Sequence, residues 1–209
     1  MNNGAIQRWT GDERFRSLLN IISGRTLIDP ERLYMIYQLA GFASKNLPGA
    51  VAEVGVYKGG SARIIVDRFL AFPPYHRKIL LFDTFEGMPD ANPGIDLHKK
   101  GDFGDTSAES VRSFLQNLEG VELRVGRFPE SLRDGDAGPF AFVHADADIY
   151  GSTADIIGFF RPFIVPGGMI LFDDYGFPSC PGAKKAVDDL LPATDVVYLP
   201  TGQALFIKR

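Results

Sequence analysis

The sequence predicts an α/β fold: a Rossmann-like sheet of seven strands, mostly parallel, with helices on both faces. From residue 50 onward, short apolar runs alternate with helical segments, which is the order expected of parallel strands joined by helical crossovers. The runs are almost continuously apolar, as in strands that are covered on both faces. The last two runs, "DVVYLP" and "QALFIKR", are separated only by "TG". That spacing permits a hairpin, and hence one antiparallel strand at the end.

Each element has its own local signals. Two helices come first, and the second has Asp29 as its N-cap and Pro30 at its first helical position. The predicted helices are 11–23, 29–45, 59–72, 106–118 (capped by Thr106 or Ser107), 151–164 and 181–191, with a short helix or turn at 129–134. The predicted strands are 50–56, 78–83, 121–126, 139–146, 167–175, 195–200 and 203–209. The chain therefore divides into an N-terminal helical segment, 1–49, and a sheet domain, 50–209.

The overall composition argues against several classes of protein. The net charge of −4 and the isoelectric point near 5.4 do not favour a nucleic-acid partner. No apolar run reaches the length of a membrane span, and the first residues show no signal-peptide pattern. Cys180 is the only cysteine, so no internal disulfide can form, and we interpret it as a packed residue. We expect a cytoplasmic protein without a membrane partner.

Acidic residues gather where a parallel sheet binds its ligands, beyond the carboxyl ends of the strands. Asp146 ends the fourth predicted strand, and Asp173 and Asp174 end the fifth. Neighbouring strands lie about 4.8 Å apart, so these carboxylates would repel one another unless a cation lay between them. We predict a Mg²⁺ site at Asp146, Asp173 and Asp174, since Mg²⁺ prefers oxygen ligands. His144 lies deeper in the strand, and we interpret it as a buried histidine.

Asp148 follows the fourth strand by a few residues. It could support the metal ligands, cap the next helix or act as a general base. The predicted catalytic residues are Asp148 and, as the second choice, Asp146.

The loop "EVGVYKGGS" after the first strand suits a nucleotide-like ligand without a diphosphate. Gly55, Gly59 and Gly60 permit a tight turn and close approach of a ligand. The loop has Tyr57 where a dinucleotide fingerprint needs glycine, and it lacks the P-loop G-K-[ST]. Glu53 would repel a diphosphate but suits a cationic group. With Asp83 placed to accept hydrogen bonds from ribose hydroxyls, an adenosine that carries an ammonium and a sulfonium fits better than NAD.

Four motifs, "AEVGVYKGGSA", "LLFDTFEGMPD", "VHADADIYGST" and "LFDDYGFPSCPGAKKAVD", resemble those of the macrocin O-methyltransferase family. The resemblance covers residues 50–209 and implies a class I S-adenosylmethionine enzyme that uses Mg²⁺ to methylate a hydroxyl on a deoxysugar of a secondary metabolite. It places the same three aspartates at the metal and Asp148 near the reacting hydroxyl. The cofactor residues expected in these motifs are Glu53, Gly55, Val56, Tyr57, Gly60, Ser61, Asp83, Thr84 and Phe85. Many members carry a longer N-terminal region, with lid and oligomer contacts, and a homo-oligomer is compatible with this sequence.

Three alternatives stay open at this point. The same chemistry could serve a catechol-type or other small diol, because a chelated pair of hydroxyls is all that the metal requires. The chain could instead bind S-adenosylmethionine without turnover, although such a module would not need the three aspartates. An NAD-linked oxidoreductase is disfavoured by Tyr57 and Glu53. The long loop 86–105 is assigned to substrate access, and its His98 is interpreted as solvated.

Overall fold

A computed structural model describes residues 8–74 and 77–209 of the chain. The helices of the described part are α1 (Glu13–Ile21), α2 (Pro30–Asn46), α3 (Gly60–Leu70), α4 (Ala108–Leu115), α5 (Tyr150–Phe163) and α6 (Pro181–Leu190), with short 3₁₀ turns at Arg8–Gly11 and Ala193–Asp195. None of these helices combines the length and the apolar character that a membrane crossing requires.

The sheet has seven strands, which confirms the predicted fold class. They are β1 (Ala50–Val54), β2 (Ile79–Asp83), β3 (Val121–Val125), β4 (Phe140–Ala145), β5 (Ile164–Phe172), β6 (Val196–Tyr198) and β7 (Ala204–Ile207). Their spatial order is β3-β2-β1-β4-β5-β7-β6. Strands β1 to β5 pair in parallel, whereas β7 inserts between β5 and β6 and runs antiparallel to both. The final hairpin therefore supplies the one antiparallel strand that the short "TG" connection indicated.

The caps that the sequence indicated are present. Asp29 accepts a hydrogen bond from the Arg32 amide at the start of α2, with Pro30 in the first turn. Ser107, one of the two predicted candidates, caps α4. The segment predicted as a short helix or turn at 129–134 is a turn.

Two apolar cores cover the two faces of the sheet. One face packs against α1, α2, α3 and α4, with Phe15, Ile36 and Ile65 fully buried there. The other packs against α5 and α6, with Phe82 and Phe160 at its centre. Because α1 and α2 bury their apolar sides in the first core, the N-terminal segment is held directly on the sheet.

The strand register fixes the positions of the site residues. Val54 of β1 pairs with Ala145 of β4, and Ala145 pairs with Phe172 of β5. The residues that follow these three positions emerge side by side at the carboxyl edge. Backbone hydrogen bonds continue the pairing beyond the strands, from the Asp146 amide to the Val54 carbonyl (2.9 Å) and from the Asp173 amide to the Ala145 carbonyl (2.9 Å).

Candidate active site

A cavity of about 280 Å³ opens at the carboxyl edge of the sheet. Its walls come from the glycine-rich loop, the ends of β2, β4 and β5, the long loop after β2, and residues 25–28 ahead of α2. Among the predicted site residues, those that line it are Gly55, Val56, Tyr57, Ser61, Asp83, Thr84, Asp146, Asp148 and Asp174. The other four, Glu53, Gly60, Phe85 and Asp173, lie outside the lining.

Gly55 lets β1 and β4 approach each other at the cavity floor. Its φ is +90°, and a Cβ placed there would lie 1.7 Å from the carbonyl oxygen of Asp146. No side chain larger than hydrogen fits that gap without separating the two loops. Gly60 has a different function, since a Cβ there would lie 2.7 Å from Thr26. It allows α3 to pack closely on the segment before α2.

Asp83 holds the glycine-rich loop in shape. One carboxylate oxygen accepts hydrogen bonds from the amides of Val56 (2.7 Å) and Tyr57 (2.8 Å), and the other accepts one from Phe85 (2.7 Å). These bonds support the left-handed backbone of Tyr57 (φ +50°) and Phe85 (φ +55°). The sequence predicted that Asp83 binds a ribose. In the structure its carboxylate already holds the glycine-rich loop in shape.

Glu53 and His144 form a pair in the interior. Both side chains are fully buried, and His144 Nδ1 lies 2.8 Å from Glu53 Oε1. Burial alone would lower the pKa of His144, but its contacts with Asp173 and Glu53 raise that pKa to about 10. His144 is thus the buried histidine that the sequence indicated, and Glu53 pairs with it instead of facing the cavity.

Three carboxylates converge beside this pair. Asp146, Asp173 and Asp174 each offer an oxygen within 4.8 Å of the others. Asp173 is fully buried, and its oxygens accept hydrogen bonds from Gln203 Nε2 (2.7 Å) and from the Arg32 guanidinium. The Arg32 guanidinium also stacks on Phe177, 4.4 Å from the ring centre. An arginine from α2 therefore neutralises one of the three acids.

The other two acids have far less compensation. Within residues 8–74 and 77–209, no hydrogen bond reaches the Asp146 carboxylate, and Asp174 accepts one from the amide of Asp148 (3.1 Å). Desolvation and the charge of Asp173 raise the pKa of Asp146, and desolvation and the charges of Asp148 and Asp146 raise that of Asp174. For Asp173, burial is outweighed by His144 and Arg32, so its pKa lies below the usual range. The cluster has the excess negative charge that a divalent cation would relieve.

Asp148 occupies a left-handed backbone position (φ +57°) that turns its carboxylate toward the cavity. Its Oδ1 lies 3.3 Å from Cys180 Sγ and 3.7 Å from His98 Nε2. The helix-cap interpretation is wrong, because the N-cap of α5 is Ile149, and no side-chain capping bond is made there. The amide of Tyr150 donates to Asp96 of the long loop (2.9 Å). The Asp148 side chain therefore caps no helix and lines the cavity.

The sequence did not indicate that Arg32 belongs to the site, and it did not indicate that His98 lines the cavity. Nothing near Arg32 in the sequence signals that it meets Asp173, 141 residues away. His98 was interpreted as solvated, but this interpretation is wrong: its side chain is 19% exposed and lines the cavity. The Asp96 contact was the missing signal, since it anchors the middle of the loop on α5 and thereby brings His98 over the site.

Comparison with known proteins agrees with this geometry. The family model of the macrocin O-methyltransferases, TylF, matches residues 4–196. The chain belongs to the macrocin O-methyltransferase family. It is an S-adenosylmethionine-dependent O-methyltransferase of the antibiotic-biosynthesis type.

Named relatives of this O-methyltransferase share about a quarter of its residues. The demethyldecarbamoylnovobiocin O-methyltransferase of Streptomyces niveus is 28% identical over 83% of this chain and 70% of its own length. The mycinamicin III 3''-O-methyltransferase of Micromonospora griseorubida is 26% identical over 88% of this chain and 78% of its own. Among solved structures, the O-methyltransferase NovP superposes with a TM-score of 0.76 at 27% identity, over 88% of this chain and 82% of NovP. The calicheamicin methyltransferase CalS11 shares the fold, with a TM-score of 0.70 at 21% identity over 94% of this chain and 91% of its own.

Proposed function

We propose that this enzyme transfers the methyl group of S-adenosylmethionine to a hydroxyl of a (deoxy)sugar on a secondary metabolite, with Mg²⁺, in the cytoplasm. The observation that carries the proposal is the cluster of three carboxylates, two of them at the cavity wall without a cationic partner among the described residues, with Asp148 beside it. The names of the relatives favour a sugar-bearing acceptor. The mycinamicin enzyme is a 3''-O-methyltransferase, and a relative from Streptomyces olivaceus is a 4'-O-methyltransferase of a tetracenomycin that carries a dimethoxyrhamnosyl group. A catechol-type diol is the alternative acceptor.

The residues present fit a magnesium ion. Asp146 and Asp174 line the cavity and have carboxylate oxygens to offer, whereas Asp173 would share its oxygens with Arg32 and Gln203. We therefore propose Asp146 and Asp174 as the main ligands and Asp173 as a ligand that also keeps the cluster in place. When bound, Mg²⁺ supplies positive charge that lowers the pKa of a coordinated hydroxyl.

The cofactor fits the half of the cavity formed by the glycine-rich loop. Gly55, Val56 and Tyr57 line this part of the cavity, and Asp83 retains lone pairs for ribose hydroxyls next to the amides it already holds. Ser61 and Thr84 lie on the same wall. For Glu53, the contact with His144 favours a structural role behind the loop.

Asp148 is proposed as the general base. Its carboxylate borders the cavity on the side of Asp146 and Asp174, so an acceptor hydroxyl held at the cluster can pass its proton to Asp148. The oxygen then attacks the methyl carbon in line with the departing sulfur. Orienting the two substrates supplies much of the rate enhancement, and no covalent enzyme intermediate is needed.

The test is methyl transfer from labelled S-adenosylmethionine over a panel of glycosides and catechols. EDTA should abolish turnover and Mg²⁺ should restore it. Asp148→Asn keeps the shape and tolerates a left-handed backbone, so it should bind S-adenosylhomocysteine normally yet lose roughly 10²–10⁴-fold in kcat. Full turnover in chelator would refute the metal proposal, and wild-type kcat in Asp148→Asn would refute the base.

A further inference from the structure

Three side chains from separate segments meet at one corner of the cavity, next to the carboxylate cluster. His98 comes from the long loop after β2, Asp148 from the loop after β4, and Cys180 from the residue before α6. Cys180 Sγ lies 3.6 Å from His98 Nε2 and 3.3 Å from Asp148 Oδ1, and these two atoms lie 3.7 Å apart. Sulfur, nitrogen and oxygen thus form a nearly equilateral triangle.

The size of this triangle matches tetrahedral zinc coordination. Bonds of about 2.3 Å to sulfur and about 2.0–2.1 Å to nitrogen and oxygen place three tetrahedral ligand atoms about 3.3–3.6 Å apart. The observed separations depart from that range by no more than a few tenths of an ångström. All three residues also line the cavity, so a fourth position would face a water molecule or substrate.

A second carboxylate orients the histidine for such a role. His98 Nδ1 lies 3.3 Å from Asp102 Oδ2, which also accepts a hydrogen bond from the Lys99 amide (2.9 Å). Histidines that bind metals typically donate their other ring N–H to a carboxylate, which fixes the ring and directs the free nitrogen at the ion. In this structure the free nitrogen, Nε2, is the one that faces Cys180 and Asp148.

We propose that His98, Asp148 and Cys180 form a second metal site, selective for Zn²⁺ or a similar borderline-soft ion and distinct from the aspartate cluster. Thiolate and imidazole ligands select zinc over magnesium. On binding, the thiol of Cys180 gives up its proton to solvent, and one sulfur–metal bond forms. Because the thiolate is the form that binds a metal, affinity should rise with pH.

An ion at this site would have two consequences. It would occupy the Asp148 oxygen that the proposed mechanism uses, and it would tie the long loop to the start of α6 across the cavity mouth. Zn²⁺ should therefore inhibit methyl transfer even when Mg²⁺ is in excess. This consequence, unlike the site itself, rests on the proposed function of Asp148.

The test uses Co²⁺ as a spectroscopic substitute in reduced, chelator-treated protein. One equivalent should produce a thiolate-to-cobalt charge-transfer band, and Zn²⁺ should remove it. Since Cys180 is the only cysteine in the chain, such a band reports on this residue alone. Cys180→Ser should abolish the band, and His98→Gln should weaken Co²⁺ binding at least about tenfold. Asp102→Asn should weaken it by roughly 10–100-fold, the usual effect of losing such a supporting carboxylate.

Two control variants separate this site from other metal binding. His76→Gln removes a histidine outside the described residues, and Asp174→Asn alters the aspartate cluster; both should keep the band. Absence of the band in wild-type protein would overturn the proposal without any variant, and so would a band that His98→Gln leaves unchanged. A band accompanied by full activity in Zn²⁺ would leave the site standing and refute Asp148 as the base.

Discussion

The two adjacent aspartates that follow β5 should differ strongly in how much stability the protein loses when their charge is removed. Asp173 is fully buried against Arg32, Gln203 and His144. Asp173→Asn leaves Arg32 without its buried partner, and breaking such a pair costs about 3–5 kcal/mol. For a chain of this size each kcal/mol shifts Tm by about 2–4 °C, so a fall of about 6–20 °C is expected. Asp174→Asn loses no cationic partner and relieves repulsion, so it should change the stability of metal-free protein by less than about 1 kcal/mol.

The assay is thermal unfolding in EDTA and in Mg²⁺. A ligand at about a hundredfold its Kd stabilises a protein by about 2.7 kcal/mol, and this gain should appear in the wild type and be lost in Asp174→Asn. The free energies follow from urea titration of the same samples. Equal destabilisation by the two substitutions in EDTA would show that Arg32 does not compensate Asp173. An unchanged Mg²⁺ gain in Asp174→Asn would remove Asp174 from the proposed metal site.

Three further outcomes are expected. S-adenosylhomocysteine should raise Tm by mass action and NAD should not; equal stabilisation by NAD would contradict the assignment of the glycine-rich loop. Gly55→Ala should cost about 2–5 kcal/mol, because the new Cβ would clash with the Asp146 carbonyl and the backbone has φ +90°. The matched Gly158→Ala, with open space around it, should be neutral or stabilising by up to about 1 kcal/mol; equal effects would refute the close approach. Hydrogen bonds from Arg124, which outweigh burial, and from Lys78 hold the pKa of Asp136 below the usual value of an aspartate. The stability that Asp136 contributes is therefore fully present above that usual value and is lost on acidification. Asp136→Asn should therefore destabilise by about 3–5 kcal/mol at neutral pH and progressively less below about pH 4, in contrast to the exposed Asp134→Asn control. A difference that does not shrink between pH 7 and pH 2 would contradict the ion pair.

The strand ends were predictable because sheet geometry is regular. Once "FVHAD" and "MILFDD" are recognised as neighbouring parallel strands, their final aspartates must meet at one edge. The loop residues were harder to assign, since their positions depend on contacts that span the chain. His98 lies at the cavity, and Asp96, two residues earlier, holds this part of the loop on α5 by accepting a hydrogen bond from the amide of Tyr150. A local sequence pattern does not indicate such a contact.

Arg32 shows why the charge balance of the site also needed the structure. Counting acids along the strands indicates three carboxylates without a partner, and that count alone suggests a site held together by metal. The structure brings a guanidinium from α2 onto Asp173, while Asp29 fixes the same arginine from the other side (2.7 Å). One acid is thereby compensated in the absence of metal, whereas Asp146 still meets the charge of Asp173, and Asp174 meets those of Asp148 and Asp146. Helix α2 consequently does more than cover the sheet: through Arg32 it compensates Asp173 and leaves Asp146 and Asp174 as the two carboxylates of the cluster without an ion-pair partner among the described residues.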